Sequence, residues 1–164
     1  MASGKPVVRQ VAWVSMIPQV ILMVALMCLF GTFVKPFSAA VNGALIFYLA
    51  LSISVRYLVP HNHRKGMALF RAGNYAQAVE EFEKSYDFFK RHPWIDRYRF
   101  LVLLSSSRIS YTEMALLNIA YGYAQSGDGK QAKEYYEKTL MEFPDSGMAK
   151  SALQMLEAGK KIGT

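Results

Sequence analysis

The sequence has few of the residues that a reactive or metal-binding site usually needs. No aspartate or glutamate precedes Glu80, and there are only three histidines. His61 and His63 are two residues apart, so on a helix they would point in different directions, and we expect the carboxylates within 80–83 to face solvent. The sequence also lacks a glycine-rich phosphate loop and a nucleophile elbow. We therefore predict no catalytic residues, no metal site and no cofactor, and we do not expect an enzyme.

Charge is unevenly distributed along the chain. The formal charge of +7 comes from 19 basic and 12 acidic residues, yet residues 1–60 contain only four charges, all of them basic: Lys5, Arg9, Lys35 and Arg56. The later charges are mixed in sign, whereas nucleic-acid binders usually cluster lysine and arginine on one face. We therefore predict no nucleic-acid partner.

Two long uncharged runs fill the first third of the sequence. They comprise 25 residues at 10–34 and 20 residues at 36–55. A helix needs about 20 apolar residues to cross a hydrocarbon layer of roughly 30 Å. We predict a transmembrane helical hairpin at 1–60, with spans at about 11–34 and 37–59.

Two other interpretations fit these runs less well. A buried pair of soluble helices would leave too little chain to cover two such apolar rods. A cleaved signal peptide would have an apolar region of about 7–15 residues, shorter than the run before Lys35. Small residues four apart, at 39 and 43 and at 40 and 44, permit close helix packing. We expect it within the hairpin, with another membrane subunit or a second copy of the chain as the alternative.

Basic residues predict the orientation of the hairpin. They flank both of its ends, whereas the connecting loop has only Lys35. The positive-inside rule then places both termini and the following domain in the cytoplasm. The lone Cys28 excludes an internal disulfide, which agrees with that location. We expect an integral protein of a bacterial inner membrane, with the lipid bilayer as one partner.

The second part of the chain contains one stretch twice. "GNYAQAVEEFEKS" begins at Gly73 and "GDGKQAKEYYEKT" begins at Gly127. Glycine ends a helix because it tolerates a positive φ. Asn74 or Asp128 would then cap the next helix, with a glutamine three residues later, and Ser110 begins a further capping box. Each copy predicts a helix, a tight turn and a second helix.

These paired helices resemble the tetratricopeptide repeat, a helical hairpin of about 34 residues. In the second copy, Glu113–Asp145, the family's packing positions are taken by Leu116, Ile119, Ala120, Tyr123, Ala132, Tyr136 and Pro144. The first copy, at about Pro60–Lys90, matches at Gly66, Ala78 and Phe82. The resemblance implies an all-α fold, in which a small repeat array at 61–164 follows the transmembrane hairpin. Its parts would be hairpins at about 61–91 and 111–144, an insert at 92–110 and a capping helix at 146–161.

The insert is more aromatic than a surface loop requires. Pro93 can start a short helix, on which Trp94, Tyr98, Leu101 and Val102 would share one face. Three interpretations stay open. The insert caps the groove between the hairpins, or binds a partner, or lies on the inner leaflet as an interfacial helix. The last interpretation would use Trp94, Arg97, Tyr98 and Arg99.

Stacked helical hairpins expose a concave surface formed by their first helices, which binds peptides or helices of other proteins. By the family resemblance, the groove-facing residues are Met67, Phe70, Arg71, Leu117, Asn118, Tyr121 and Gln125. We expect a membrane-anchored adaptor or scaffold that recruits a protein partner in this groove. The alternative is a small accessory subunit of a membrane transport, secretion or energy complex, with the transmembrane hairpin as its main interface.

Overall fold

The computed structural model describes residues 17–105 and 107–162, the last three without their side chains. In these residues the chain forms helices and no strand, which confirms the predicted all-α class. The helices are α1 (Ile17–Phe33), α2 (Phe37–Leu58), α3 (His61–Arg71), α4 (Tyr75–Arg91), α5 (Pro93–Arg97), α6 (Arg99–Val102), α7 (Tyr111–Gln125), α8 (Gly129–Glu142) and α9 (Gly147–Ile162).

The chain divides into two compact units. The first contains the chain up to Val59 together with Arg97–Ile109, and the second contains Pro60–Asp96 and the chain from Ser110 onward. The predicted insert at 92–110 is therefore shared between the units, since most of it belongs to the first.

In the first unit, α1 and α2 are joined by three residues and pack against each other. Ala40 and Ala44 are completely buried. A Cβ on Gly43 would lie 3.0 Å from the ring of Phe30. The small residues of α2 therefore provide the close approach of the two helices, as predicted for packing within the hairpin.

Among the described residues, α2 is the one helix that is both long and apolar enough to cross a membrane, with 22 residues. The helix α1 is apolar but has 17 described residues, and positions 11–16 of the predicted first span lie outside the described residues. Large apolar side chains along α2 are exposed, including Ile46, Leu49 and Ile53.

In the second unit, two helical hairpins have the predicted turns. Gly73 separates α3 from α4 with a φ of 81°, and Gly127 separates α7 from α8 with a φ of 84°. Asp128 accepts a hydrogen bond from the Gln131 backbone N–H at 3.0 Å and so caps α8. Asn74 occupies the matching position before α4, but its side chain makes no capping hydrogen bond, which differs from the prediction.

The two hairpins meet where α4 packs against α7. Ile119 of α7 is completely buried in a cluster with Ala78, Val79 and Phe82 of α4. A Cβ on Gly122 would lie 2.5 Å from Cγ2 of Val79, closer than side chains tolerate. The absence of a side chain at Gly122 therefore sets how closely the hairpins approach.

A second core cluster lies between α7, α8 and α9. It contains Leu117, Ala120, Ala132, Tyr136 and Ala149, all buried. Partly buried side chains of α9 pack against it, so α9 covers apolar surface of the second hairpin. That α9 acts as the terminal cap of a repeat array stays a prediction.

The carboxylates within 80–83 do not all face solvent. Glu81 is only 5% exposed and accepts hydrogen bonds from Lys84 at 2.8 Å and Lys65 at 3.0 Å. The hydrogen bond from Lys84, assisted by Lys65, lowers the pKa of the Glu81 carboxyl despite its burial. The expectation of solvent exposure is therefore wrong for Glu81, which is paired because an unpaired buried charge is costly.

The insert differs from the single helix predicted for it. The helix α5 does begin at Pro93, but α5 and α6 are separate short helices interrupted at Tyr98. One continuous helical face carrying Trp94, Tyr98, Leu101 and Val102 is therefore not formed. The helix α6 belongs to the first unit, where it packs against α1.

The contact at Gly122 gives a direct test of the packing. In Gly122→Ala the added methyl group meets Val79, and overpacking of a core costs about 1–3 kcal/mol, more than the gain of up to ~1 kcal/mol in helix propensity. We expect a lower melting temperature in detergent by circular dichroism. Gly129→Ala is the matched control, because a Cβ there has no neighbour within 4 Å. Equal stability of the two variants would contradict the close α4–α7 approach.

Candidate functional site

The structure brings four of the predicted groove residues together on the second unit. Phe70 of α3 stacks on Tyr121 of α7, with ring centroids 5.1 Å apart and an interplanar angle of 19°. The Asn118 amide Nδ2 lies 3.8 Å from the sulfur of Met67. Met67 and Tyr121 are each 38% exposed. We call Met67, Phe70, Asn118 and Tyr121 the α3–α7 surface.

Phe70 is held in place by rings on its other sides. Tyr75, the first residue of α4, meets it edge-to-face at 5.0 Å, and Phe82 lies 6.4 Å away. Such offset and edge-to-face aromatic pairs contribute about 0.5–1.5 kcal/mol beyond the area they bury. The exposed ring of Tyr121 therefore lies on a fixed aromatic support and is ordered before any partner binds.

The other three predicted groove residues lie differently. Arg71 is exposed, and its Nε donates to the Met67 carbonyl at 3.2 Å. Gln125 is exposed one turn beyond Tyr121. Leu117 is only 8% exposed and belongs to the core covered by α9, so it is not available to a partner.

The α3–α7 surface is apolar and aromatic, with one amide and no charge. Stacked rings and a thioether suit an apolar or aromatic side chain of a partner, because methionine adapts its shape to the group it contacts. Asn118 can donate to and accept from a peptide backbone. Arg71 is the only cation among the seven predicted residues, which does not favour a clamp for an acidic terminus.

The residues predicted for the membrane interface have different surroundings. Trp94 and Tyr98 are 55% and 47% exposed, and Arg97 is also exposed. Arg99 instead donates to the backbone carbonyls of Ser107 at 3.1 Å and Arg108 at 2.7 Å. Arg99 therefore holds the end of the insert together, a role that differs from the predicted contact with lipid phosphates.

A buried histidine lies next to a serine in the second unit. The Nδ1 of His63 is 3.4 Å from the Ser85 hydroxyl. The imidazole also makes edge-to-face contacts with the rings of Phe82 and Tyr111, whose centroids are 5.3 and 5.5 Å away. Burial lowers the pKa of His63 to about 4, although the nearby Asp96 charge opposes this shift. His63 is therefore neutral at neutral pH.

Serine, histidine and aspartate together resemble the composition of a hydrolase triad, but the geometry favours a structural role. Ser85 is 2% and His63 7% exposed, so a substrate has no access to either side chain. Asp96 accepts hydrogen bonds from the backbone N–H groups of Tyr111 at 2.8 Å and Thr112 at 2.9 Å, and from the Thr112 hydroxyl at 2.6 Å. Its carboxylate therefore caps the start of α7.

Two features of the site were missed by the sequence reasoning. Tyr75 supports Phe70, and its aromatic character next to the Gly73 turn was the available signal. Asp96 caps α7 from 15 residues upstream, so no local motif indicates it. The predicted cap at Ser110 does form, since its side chain accepts from the Glu113 N–H at 3.1 Å.

Comparisons with known proteins add no family to this geometry. No protein-family model matches the sequence, and neither the curated proteins nor the solved structures yielded a match. In the described part of the chain, no group of three or more histidine, cysteine, aspartate or glutamate side chains could hold a metal ion. The function of the chain is therefore inferred from its residues and their contacts.

His63 predicts a pH-dependent stability. Its pKa is lowered from 6.5 to about 4 in the folded chain, so between these values the unfolded state binds more protons and folding loses stability as the pH falls. The full effect is about 3 kcal/mol. We expect His63→Gln to lose less stability than the unsubstituted protein between pH 7 and 4, by about 3 kcal/mol. Urea denaturation in detergent measures this difference.

The slope that remains in His63→Gln comes from carboxylates with lowered pKa values, such as Glu81 and Glu142. An unchanged pH slope in His63→Gln would show that His63 is not held neutral in the fold.

Proposed function

We propose that the protein is a membrane-anchored adaptor that binds a protein partner at the α3–α7 surface of a short tetratricopeptide-like array. The observation that carries this proposal is the stacked pair Phe70 and Tyr121, which joins the first helices of both hairpins in one exposed aromatic surface. The hairpins themselves, with their glycine turns and capped second copy, support the likeness to this repeat.

The chemistry of the surface defines its partner. A few well-supported aromatic anchors dominate the affinity of a small interface, and Tyr121 has such support from Phe70. The partner segment would place an apolar or aromatic side chain against these rings and Met67. It would use the Asn118 amide for a backbone hydrogen bond. An extended or helical peptide with an apolar anchor meets these requirements.

The anchor is the predicted hairpin of α1 and α2. Its support is the length and apolar exterior of α2, and the close packing of α1 on Ala40, Ala44 and Gly43. In addition, Arg56 lies in the last turn of α2, at the end opposite Lys35. Exposed apolar side chains on such a helix are satisfied by lipid tails. In this arrangement both termini and the repeat array are cytoplasmic.

One observation favours the second candidate function, an accessory subunit that binds through its hairpin. Asn42 is exposed and is the one amide side chain in α2. An amide that faces lipid lacks hydrogen-bond partners, whereas helices of another membrane subunit can supply them. In that case the main interface with a partner would include Asn42, and the α3–α7 surface would be a secondary interface.

The proposed topology is tested by thiol labelling. In a Cys28→Ser background, Ser38→Cys places a thiol beside Lys35 at the loop of the hairpin. We expect an impermeant maleimide to label it in intact cells, because the loop is outside. Thr164→Cys should be labelled only after permeabilisation. The reverse pattern would invert the orientation and move the array out of the cytoplasm.

Site-specific photo-crosslinking in native membranes distinguishes the two functions. A benzophenone amino acid at Tyr121, at Asn42 or at the exposed Lys130 of α8 probes each face under the same conditions. We expect a discrete protein adduct from position 121 and none from position 130. An adduct from position 42 alone would contradict the adaptor and favour the accessory subunit.

Once the adduct is identified, Asn118→Ala/Tyr121→Ala measures the contribution of the surface. Loss of an aromatic anchor costs about 2 kcal/mol, or roughly thirtyfold in affinity. Microscale thermophoresis with the purified partner would measure this change, and an unaltered helical circular dichroism spectrum would show that the fold is retained. Lys133→Ala/Glu137→Ala, which removes the ion pair on α8, is the control of matched size. Equal affinities of the two double variants would contradict the proposed site.

A further inference from the structure

The division into units places the whole net charge of the chain in the first unit. All twelve acidic residues lie in the second unit, which also has twelve basic residues and is therefore neutral. The first unit has seven basic residues and no acidic residue, so the net charge of +7 belongs to it. Three of these seven are arginines in the short segment Arg97–Ile109.

The segment Arg97–Ile109 is attached to the helical hairpin. Its helix α6 packs against α1. Arg56, in the last turn of α2, donates a hydrogen bond to the carbonyl of Leu104. The segment therefore lies at the Arg56 end of the hairpin, which is the cytoplasmic end in the proposed topology.

Arg99 makes hydrogen bonds within this segment, whereas the side chains of its other arginines and of Tyr98 and Leu101 are exposed. Arg99 binds the carbonyls of Ser107 and Arg108, so it folds the segment back on itself. Tyr98 and Leu101 are 47% and 46% exposed. The side chains of Arg97 and Arg108 are exposed as well. The surface of the segment thus combines an aromatic ring, a leucine and two arginines.

We propose that the segment Arg97–Ile109 is a lipid-binding element that docks on the bilayer surface and recognises anionic phospholipid headgroups. Tyr98 and Leu101 enter the headgroup region, where amphipathic aromatic rings are favoured. Arg97 and Arg108 bind lipid phosphates, because arginine presents a planar set of donors that matches a phosphate. This inference rests on the proposed membrane anchor.

Two observations select lipid over another occupant. The segment is continuous with the apolar hairpin, since it contacts α1 and the end of α2, so a bilayer around the hairpin reaches it. The whole first unit is basic without one acidic residue, and this charge complements an anionic leaflet, which attracts basic residues near its surface.

The experiment uses the full chain with Cys28→Ser and Leu101→Cys, labelled with a polarity-sensitive fluorophore. The protein is reconstituted in vesicles of phosphatidylcholine alone or of phosphatidylcholine with phosphatidylglycerol, in phosphate-free buffer. Quenching by lipids spin-labelled at the headgroup and by aqueous iodide reports where the label lies. A label at Ile46→Cys on the exposed side of α2 reports separately whether the hairpin is in the bilayer.

We expect the Leu101→Cys label to be quenched by lipid and protected from iodide, more strongly with phosphatidylglycerol. Arg97→Gln/Arg108→Gln should reduce the ratio of docked to undocked segment in anionic vesicles, by about fivefold for each arginine. Lys130→Gln/Lys150→Gln removes two exposed charges from the second unit and should leave that ratio unchanged.

Three results would overturn the inference, and they differ in meaning. A Leu101→Cys label that stays in water in both lipids, while the Ile46→Cys label is in the bilayer, refutes the docking and leaves the anchor intact. Equal docking in both lipids refutes the recognition of anionic headgroups. An Ile46→Cys label in water refutes the proposed membrane anchor, and the lipid-binding element with it.

Discussion

The packing of the second unit depends on the contact between Gly122 of α7 and Val79 of α4. Val79 fills the space that a side chain at position 122 would occupy. This contact allows α7 to lie close enough to α4 for Ile119 to be buried among Val79 and Phe82. The same approach brings side chains of α3 and α7 into contact, because each of these helices is packed against its own partner helix. The stacking of Phe70 on Tyr121 is therefore a consequence of core packing, and a partner would bind a surface that is already formed.

Hydrogen bonds and ion pairs stabilise this packing at places where a buried charge or a helix end would otherwise have no polar partner. Asp96 caps α7 with three hydrogen bonds, and Glu81 is buried between two lysines. Removing one member of such a buried group lowers the stability of the fold by more than the intact group contributes, because its partners are left buried without hydrogen bonds. His63 is instead uncharged, because burial lowers its pKa. None of these groups is accessible enough to act on a substrate, which is why the exposed aromatic surface is the better functional candidate.

Features encoded by neighbouring residues were predictable from the sequence, and features that depend on distant contacts were not. The turns at Gly73 and Gly127 and the cap at Asp128 follow from local residues, and they formed as predicted. The family resemblance implied seven groove residues, and four of them meet in one surface. Leu117 was implied as well, but it is buried in the core cluster that α9 covers. The capping of α7 by Asp96 depends on how the insert folds, which no local pattern reveals.

The likeness to tetratricopeptide repeats stays a prediction, as does the membrane hairpin.

The juxtaposition of α3 and α7 is the claim on which the functional account depends most, and a cross-link measures it directly. In a Cys28→Ser background, Met67→Cys and Asn118→Cys are introduced together and treated with a short bifunctional thiol reagent in detergent. We expect efficient intramolecular cross-linking, because the Asn118 Nδ2 and the Met67 sulfur are 3.8 Å apart. A control pair, Met67→Cys with Lys133→Cys, should stay unlinked. Absence of the 67–118 cross-link in folded protein, or equal cross-linking of both pairs, would contradict the account.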